Sequence, residues 1–526
     1  NDKAEVAALK RVFGPKIPVP ISSSKAYFGH NLGAAAAVEL VTALYAIRQG
    51  YLPGTLHFDR PRPGCEEVDV IGPAMRLAQP EYILSNNAAF GGHNVSLLIR
   101  TGIHGQTLEE ALRKSGSQAL QPEKRWEADA SPPVKTETGD RHWGANEVDS
   151  SGEESGRLAK QRVAIAGIGA VGHWGLSQGG VVGSLIDPPE GTKPGQASFS
   201  LKEYRKEYYE RRMNGLTQYT IGAALAALEH AGLAEKERGA MGFIYGTARG
   251  STESISRFLR SVFEKGPELA SSIYFPHTVI NSVAGTTAQK LNLNDFSSSL
   301  STGGNDGLTA ALYASGLIRQ GTLSCCLIGA GDERSALSDS IDRAKGLTES
   351  QWVRTEGSVS LVLVNPDLLQ KKKAEGICIG RPLAELRGFG TVFTAGLQDE
   401  EREAAICGAI KRALLEAALP LDCVDLVLFN SVGRGREWEW EESLMSRLIA
   451  SGSSAVPILC LNDLAGYGES YSSMLHLAVA AELVASPKSW ERIKAHKRLN
   501  HQQPEHVLVI SSSVNGNYTA VMVSHL

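Results

Sequence analysis

Apolar positions along the chain recur in two rhythms, and each predicts elements. Val6, Leu9, Val12 and Phe13 fall on one helical face. Asp2 and Glu5 stand at capping-box spacing, so a helix is expected from Asn1 to Gly14, stopped by Gly14 and Pro15. Ile17 to Ser22 is β-rich and reads as a short strand. Gly33 to Gln49 is an Ala-rich helix that Gly50 ends, and its start can pack very closely against a neighbour. Tyr82–Leu84 and Val95–Arg100 read as strands around the turn Phe90-Gly91-Gly92. Near Thr101 the rhythm is lost. From about Gly105 to Lys160 the chain is polar and charged, with Ser131-Pro132-Pro133 and a Ser/Gly/Glu run at 150–156. Such a segment buries too little surface to offset its ordering entropy and is expected to be a flexible linker.

Apolar runs resume at Arg162. A strand over 162–166 leads into Gly167-Ile168-Gly169-Ala170-Val171-Gly172, which alone matches a dinucleotide-binding G-x-G-x-x-G. That motif needs a helix opening at its third glycine, and His173-Trp174-Gly175 is no helix start, so the match is read as accidental. Beyond it, helices are expected over 217–231, 403–418 and 472–485. Apolar strands are expected over 241–246, 323–329, 424–429, 457–461, 507–511 and 518–523, and 296–307 reads as a strand entering a helix. Alternating helices and apolar strands mean layered α/β. The part after Gly388 repeats the order of elements in residues 1–100. The expected domains are 1–104, a linker at 105–160, and 161–526.

Composition narrows the function. The chain has 526 residues, 42% hydrophobic and 21% charged, as soluble globular proteins have. A net charge of −4 gives no electrostatic case for nucleic acid or a membrane surface. No apolar run reaches the roughly 18 residues of a spanning helix. Seven cysteines, two of them the adjacent Cys325 and Cys326, form no disulfide framework and no metal-ligand spacing, so a reducing cytoplasm is the default and no metal is expected. Residue 1 is Asn and the first methionine is Met75, which suggests a processed product or a fragment.

Two motifs carry chemistry. The first is Ser22-Ser23-Ser24-Lys25-Ala26-Tyr27-Phe28-Gly29-His30-Asn31-Leu32-Gly33, and the second is Asn87-Ala88-Ala89-Phe90-Gly91-Gly92-His93-Asn94. Both resemble motifs of the β-ketoacyl synthases, where Lys-x-x-x-x-His precedes a Gly/Ala-rich helix and a Gly-Phe-Gly-Gly-x-Asn turn follows. The resemblance implies a thiolase-like five-layered α-β-α-β-α fold and decarboxylative Claisen condensation. It assigns His30 to donate to the malonyl thioester carbonyl and Lys25 to shape the local field. Phe90 matches the gating phenylalanine, whose backbone N–H would be half of an oxyanion hole, and Gly91, Gly92 and Asn94 form the turn. Ala88, Ala89 and His93 depart from the family pattern. The bland alternatives are a surface charge for Lys25 and a helix-capping side chain for His30. The segment covers only the last quarter or so of a ketosynthase, so the nucleophilic Cys and first His are expected from a separate chain.

Residues 161–526 resemble a complete ketosynthase domain without its catalytic groups. Gly304 stands at the nucleophile, Val432 at the first His, Asn462 at the Lys and Tyr467 at the second His, and Val514-Asn515-Gly516-Asn517 replaces the Phe-Gly-Gly turn. Loss of all four together resembles a chain length factor, the inactive partner in type II polyketide synthases. The resemblance thus implies one complete inactive copy plus the C-terminal quarter of a second, acting in a ketosynthase–chain length factor pair. Phe296 to Thr302 would lie at the two-fold interface. Substrates would ride on the phosphopantetheine of an acyl carrier protein, with no other cofactor. Alternatives are a fatty-acid or polyunsaturated-fatty-acid condensing pair, a non-catalytic thiolase-fold scaffold, and a nucleotide-binding oxidoreductase.

Overall fold

The computed structural model describes residues 2–78, 80–89, 94–101, 161–178, 180–344, 352–367, 379–395, 398–432, 437–449, 456–513 and 515–526. They form two compact units, 2–101 and 161–526. The expected linker at 105–160 and the turn residues Phe90, Gly91, Gly92, His93 and Val514 lie outside the described residues.

In the larger unit eleven strands form one sheet system made of two like halves. The first half holds β5 (Ala164–Gly172), β7 (Gly242–Gly246), β8 (Ser297–Leu300), β9 (Cys325–Asp332) and β10 (Gly357–Val364), with β6 (Gly175–Gln178) hairpinned onto β5. The second holds β11 (Ala384–Phe393), β12 (Leu426–Asn430), β13 (Ile458–Leu459), β14 (His506–Ser512) and β15 (Asn517–Ser524). Each half has spatial order first, fifth, fourth, second, third. In both, the first strand is antiparallel to the fifth and the fifth to the fourth, while the second is parallel to the fourth and third. The halves meet at Ala384↔Ile165 and Glu385↔Ala164.

Strand residues alternate between two buried faces, which is why these strands read as continuous apolar runs. Ile165, Ile168, Val507, Val509, Val521 and Val523 pack with helices Asp306–Arg319 and Ser470–Ala485. On the opposite face of the first half, Ala164, Ala166 and Phe243 pack with helices Gly215–His230 and Ser282–Leu291. On the opposite face of the second, Leu508, Ile510, Ala520 and Met522 pack with helix Asp399–Ala417. Helix, sheet, helix, sheet, helix: the fold is the five-layered thiolase-like arrangement.

The glycines of the 167–172 motif lie inside β5, and no helix opens there. A Cβ on Gly167 would stand 2.1 Å from the Ala227 carbonyl oxygen, and one on Gly169 2.2 Å from that of Ala223. The glycines let helix Gly215–His230 lie directly on the strand. They cradle a helix backbone, and nothing remains for a pyrophosphate to approach.

The smaller unit contains helices Asp2–Phe13, Lys25–Phe28 and Ala35–Arg48 and four strands: β1 (Tyr51–Leu52), β2 (Arg76–Leu77), β3 (Tyr82–Ala88) and β4 (Asn94–Arg100). Its element order matches that of the end of the larger unit, with constant spacing within the loop-and-helix part and within the terminal hairpin. Lys25 corresponds to Asn462, Ile21 to Ile458 and Arg48 to Ala485, where both long helices end. The β3–β4 ladder runs from Tyr82↔Arg100 to Ala88↔Asn94, and β14–β15 holds the same register from His506↔Ser524 to Ser512↔Tyr518. Helix Asp2–Phe13 therefore matches Glu437–Ile449, an element the sequence reading did not identify; the Asp399–Ala417 helix has no counterpart here.

Burial differs sharply between the copies. Val6, Ile17 and Cys65 form the only buried apolar cluster among the described residues of the small unit. The expected strand at 17–22 reduces to one parallel bridge, Ile21↔Val70. Pro18 and Pro20 lack donors, and among the described residues of the small unit no strand corresponds to β12, on which β13 pairs.

Candidate active site

In the small unit a four-residue helix places Lys25, and Gly29 turns the chain out of it with φ +78 and ψ 177. That conformation is open only to glycine at low cost. The counterpart Gly466 has φ 77 and ψ 178, so the two site loops share one backbone path. Lys25 Nζ forms an ion pair with Glu39, one helical segment on, with Lys25 partly exposed and Glu39 mostly covered. Glu39 escaped the sequence reading. Its signal was visible, because it is the sole charge in the apolar run Ala35–Ile47.

His30 is exposed, and its Nδ1 accepts the Leu32 backbone N–H at 3.3 Å. In the neutral ring that acceptor role fixes the proton on Nε2 and leaves Nε2–H as the outward donor. The capping alternative for His30 is thus present in the structure as the contact that sets its tautomer. Asn94 closes the β3–β4 hairpin opposite Ala88.

In the large unit the altered positions converge. Gly304 has φ +126 and precedes helix Asp306–Arg319. A Cβ there would lie 3.6 Å from Ser513 Cβ and 3.8 Å from Tyr467 Oη. Asn462 donates to Asn430 Oδ1 at 3.1 Å and to the Ser431 carbonyl at 2.9 Å, beside buried Val432. Asn430 donates to Ser511 Oγ at 2.9 Å, which donates to Asn305 Oδ1 at 2.7 Å. Asn517 donates to the Thr302 carbonyl at 3.0 Å. Asp306 accepts from Gly304 N at 3.0 Å and from Ser470 Oγ at 2.6 Å. Amides and hydroxyls join Asn462, Asn430, Ser511 and Asn305 into one knot, Asp306 holds Gly304 beside it, and the Tyr467 hydroxyl stays outside the network.

Around this knot lies a mostly buried ion cluster with no obvious sequence signal. Arg249 forks onto Glu469 at 2.8 and 2.9 Å and reaches Asp342 at 2.7 Å. Arg354 bonds Asp342 at 3.0 Å and Glu469 at 3.1 Å, and lies over the Tyr467 ring. Glu469 itself has φ 39 and ψ −104, a strained conformation for a residue with a side chain. Burial, then Glu469, raises the Tyr467 hydroxyl above its ordinary range. Burial pushes Glu333 up to about 7, and burial with Glu469 and Asp306 raises Asp332. Near this knot burial pushes the Cys460 thiol up to about 12.

Beside the knot opens a cavity of about 620 Å³. Phe296, Leu300, Leu312, Tyr313 and Gly316 line it together with Thr302 and Asn517.

Comparison with known families agrees with this geometry. Residues 1–59 match the model of the β-ketoacyl synthase C-terminal domain, and residues 189–354 that of the β-ketoacyl synthase N-terminal domain. Both segments are similar to β-ketoacyl synthases. Among curated β-ketoacyl synthase relatives, the chain is 36% identical over 98 residues to the chloroplastic 3-oxoacyl-[acyl-carrier-protein] synthase II of Arabidopsis thaliana, which is 19% of this chain and 18% of that protein. It is 38% identical over 93 residues to the tetracenomycin polyketide synthase ketoacyl synthase alpha subunit of Streptomyces glaucescens, 18% of this chain and 22% of that one. The chain thus spans a quarter or less of the curated relatives it matches. Among solved structures, the ishigamide ketosynthase/chain length factor superposes with TM-score 0.58 at 18% identity, covering 70% of this chain and 99% of that one. A type II polyketide synthase ketosynthase in complex with its acyl-carrier protein gives 0.56 at 18% identity, covering 70% and 100%. At these identities the likeness is one of fold.

Proposed function

We propose that the chain is part of a ketosynthase–chain length factor pair that performs decarboxylative Claisen condensation of malonyl-acyl carrier protein onto an acyl chain in polyketide assembly. The observation that carries this reading is the contrast between two copies of one loop: Lys25 and His30 in the first, Asn462 and Tyr467 at the same backbone positions in the second. Residues 1–101 act as the C-terminal quarter of a working ketosynthase, and residues 161–526 as its inactive partner. Nε2–H of His30 donates to the malonyl thioester carbonyl and stabilises the enolate that forms as carbon dioxide leaves. Lys25, oriented by Glu39, supplies positive charge nearby. The Phe90 N–H belongs to the oxyanion site, with Gly91 and Gly92 giving the turn its close approach and Asn94 ending it. The nucleophilic cysteine and the first histidine come from another ketosynthase polypeptide, and the carrier protein delivers both substrates. The large unit contributes its cavity beside Gly304 to the wall that limits chain growth.

Reconstitution tests this. The chain is combined with a cysteine-bearing ketosynthase polypeptide, acyl and malonyl carrier proteins, and condensation is followed by mass of the carrier-bound product. His30→Ala should lower the rate by about 10²-fold or more. If His30→Ala and Lys25→Ala leave condensation intact, the chain is a scaffold. The degree of reduction of the product separates a polyketide pair from a fatty-acid pair.

A further inference from the structure

We infer that the cavity of the large unit takes a hydrocarbon-like acyl chain, saturated or polyunsaturated, and turns away a chain of repeated ketones. The inference rests on the reading of residues 161–526 as the inactive member of a condensing pair, and it adds the chemical class of the chain. Two elements build the cavity. Strand β8 and the residues flanking it present every second side chain to it: Phe296, Ser298, Leu300 and Thr302. Helix Asp306–Arg319 adds one stripe, Thr309, Leu312, Tyr313 and Gly316, at the three- and four-residue steps of a single face. The volume of about 620 Å³ lies inside the range of small-molecule sites, roughly 300–1,000 Å³. At one end Thr302 and Asn517 bring the cavity up to the Gly304 loop.

What the walls can donate decides the class of chain. Thr302 Oγ1 donates to Asp306 at 3.0 Å, and Thr309 Oγ1 donates to the Asn305 carbonyl at 3.0 Å. Neither hydroxyl has a proton left for a ligand. Asn517 commits one of its two side-chain N–H groups to the Thr302 carbonyl at 3.0 Å. Thr391 and Thr519 lie 3.4 Å apart, and one of these hydroxyls serves the other. Inside the cavity this leaves Ser298, one Asn517 N–H and one hydroxyl of the threonine pair. Tyr313 and Gln320 are exposed, so water competes for their donors. A poly-β-ketone in its keto form carries an acceptor at every second carbon and no donor. Most of its carbonyls would leave water and find no partner, and each one stranded weakens binding by about ten-fold. A hydrocarbon chain strands nothing and gains from contact with Phe296, Leu300, Leu312 and Leu317.

The test uses the full chain and cis-parinaric acid, a conjugated polyene fatty acid whose fluorescence rises in an apolar site. Two N-acetylcysteamine thioesters of equal length, hexadecanoyl and 3,5-dioxohexadecanoyl, compete with it. Expected are saturable uptake of the polyene and displacement by the hexadecanoyl thioester at least about ten-fold more tightly than by the dioxo one. Gly316→Leu fills the cavity and should abolish uptake with no loss of melting temperature. Leu312→Gln supplies amide donors to the same wall and should narrow the gap between the thioesters; it decides the matter if Gly316→Leu fails to fold. Four results overturn the proposal: no saturable uptake, uptake that a folded Gly316→Leu chain retains, a dioxo chain bound as tightly as the saturated one, or a gap that Leu312→Gln leaves unchanged. Reconstitution keeps the two readings apart. Uptake without condensation would sink the functional reading and leave the cavity assignment standing. Condensation that runs faster on a 3,5-dioxo primer than on a saturated one would sink the assignment and leave the pair intact.

Discussion

An added Cβ at Gly304 would find only ordinary contacts, the nearest at 3.6 Å, so space does not forbid a side chain there. The backbone does, since φ +126 belongs to a region that residues with a Cβ occupy at a cost of about 1–3 kcal/mol. Gly304→Cys should lower the denaturation free energy by that amount, and its thiol should form no acyl-enzyme by intact mass. The knot of Asn305, Asp306, Ser470 and Ser511 holds the backbone on either side of Gly304. His476, the counterpart of Glu39, is fully buried and accepts the Leu461 N–H on Nε2 at 3.1 Å. Burial depresses its pKa to about 4. The unfolded ring, with pKa near 6.5, takes up a proton first as pH falls. Stability contributed by the neutral ring is therefore complete above about pH 6.5 and is lost on descent towards 4, by up to about 3 kcal/mol. His476→Gln should flatten that limb of a denaturant-midpoint profile. Glu333 works in the other direction: with its folded pKa raised to about 7, stability declines from about pH 4.5 to 7.

At the scale of elements, Gly167 gives the clearest forecast. Its missing Cβ lies 2.1 Å from the Ala227 carbonyl oxygen, so Gly167→Ala must push helix Gly215–His230 off β5. A loss of about 1–3 kcal/mol in chemical denaturation is expected, with no change in any nucleotide affinity. A second forecast concerns the ion cluster. Arg354→Met removes one of the two cations that pair Asp342 and Glu469; Arg249 stays on both carboxylates, so the expected cost is about 1–2 kcal/mol, below that of stranding a buried charge. Much at this scale was readable beforehand: β7, β8, β9, β12, β13, β14, β15 and the accidental nature of the glycine motif follow from apolar period and turn chemistry, whereas β10 and β11 were not identified. The strand at Ile17–Ser22 misled because strand propensity is present and the neighbouring strand is not. Helix Glu437–Ile449 was missed, and Arg249, Asp342, Arg354 and Glu469 carried no sign, since residues distant in sequence meet only after folding. Lys25, His30, Asn462 and Tyr467 were legible because their spacing is local.

At the scale of the molecule, the two units differ in how much of themselves they bury. The large unit closes five layers; the small one buries, among its described residues, only Val6, Ile17, Ala35, Cys65 and Ile71 of its apolar side chains and exposes a hairpin whose copy the large unit buries. Burying each of Leu84, Leu97 and Leu98 would be worth about 1.5–3 kcal/mol, so a protein surface that covered them would stabilise the small unit strongly. Its melting should accordingly depend on concentration of the partner chain, while the large unit melts at a fixed temperature in differential scanning calorimetry. The 620 Å³ cavity offers a separate handle. A Cβ at Gly316 meets nothing within 4 Å, so Gly316→Leu should leave stability unchanged or raised and shorten the product chain. The two copies of the repeated stretch keep step through the site loop and long helix, and again through the terminal hairpin. The spacing changes only between them, where 49–81 is longer than 486–505. The fold thus accommodates connections of two lengths at this place. A fluorescent tag or a recognition peptide placed near Pro61–Gly64 could follow assembly inside a living cell without touching a single site residue.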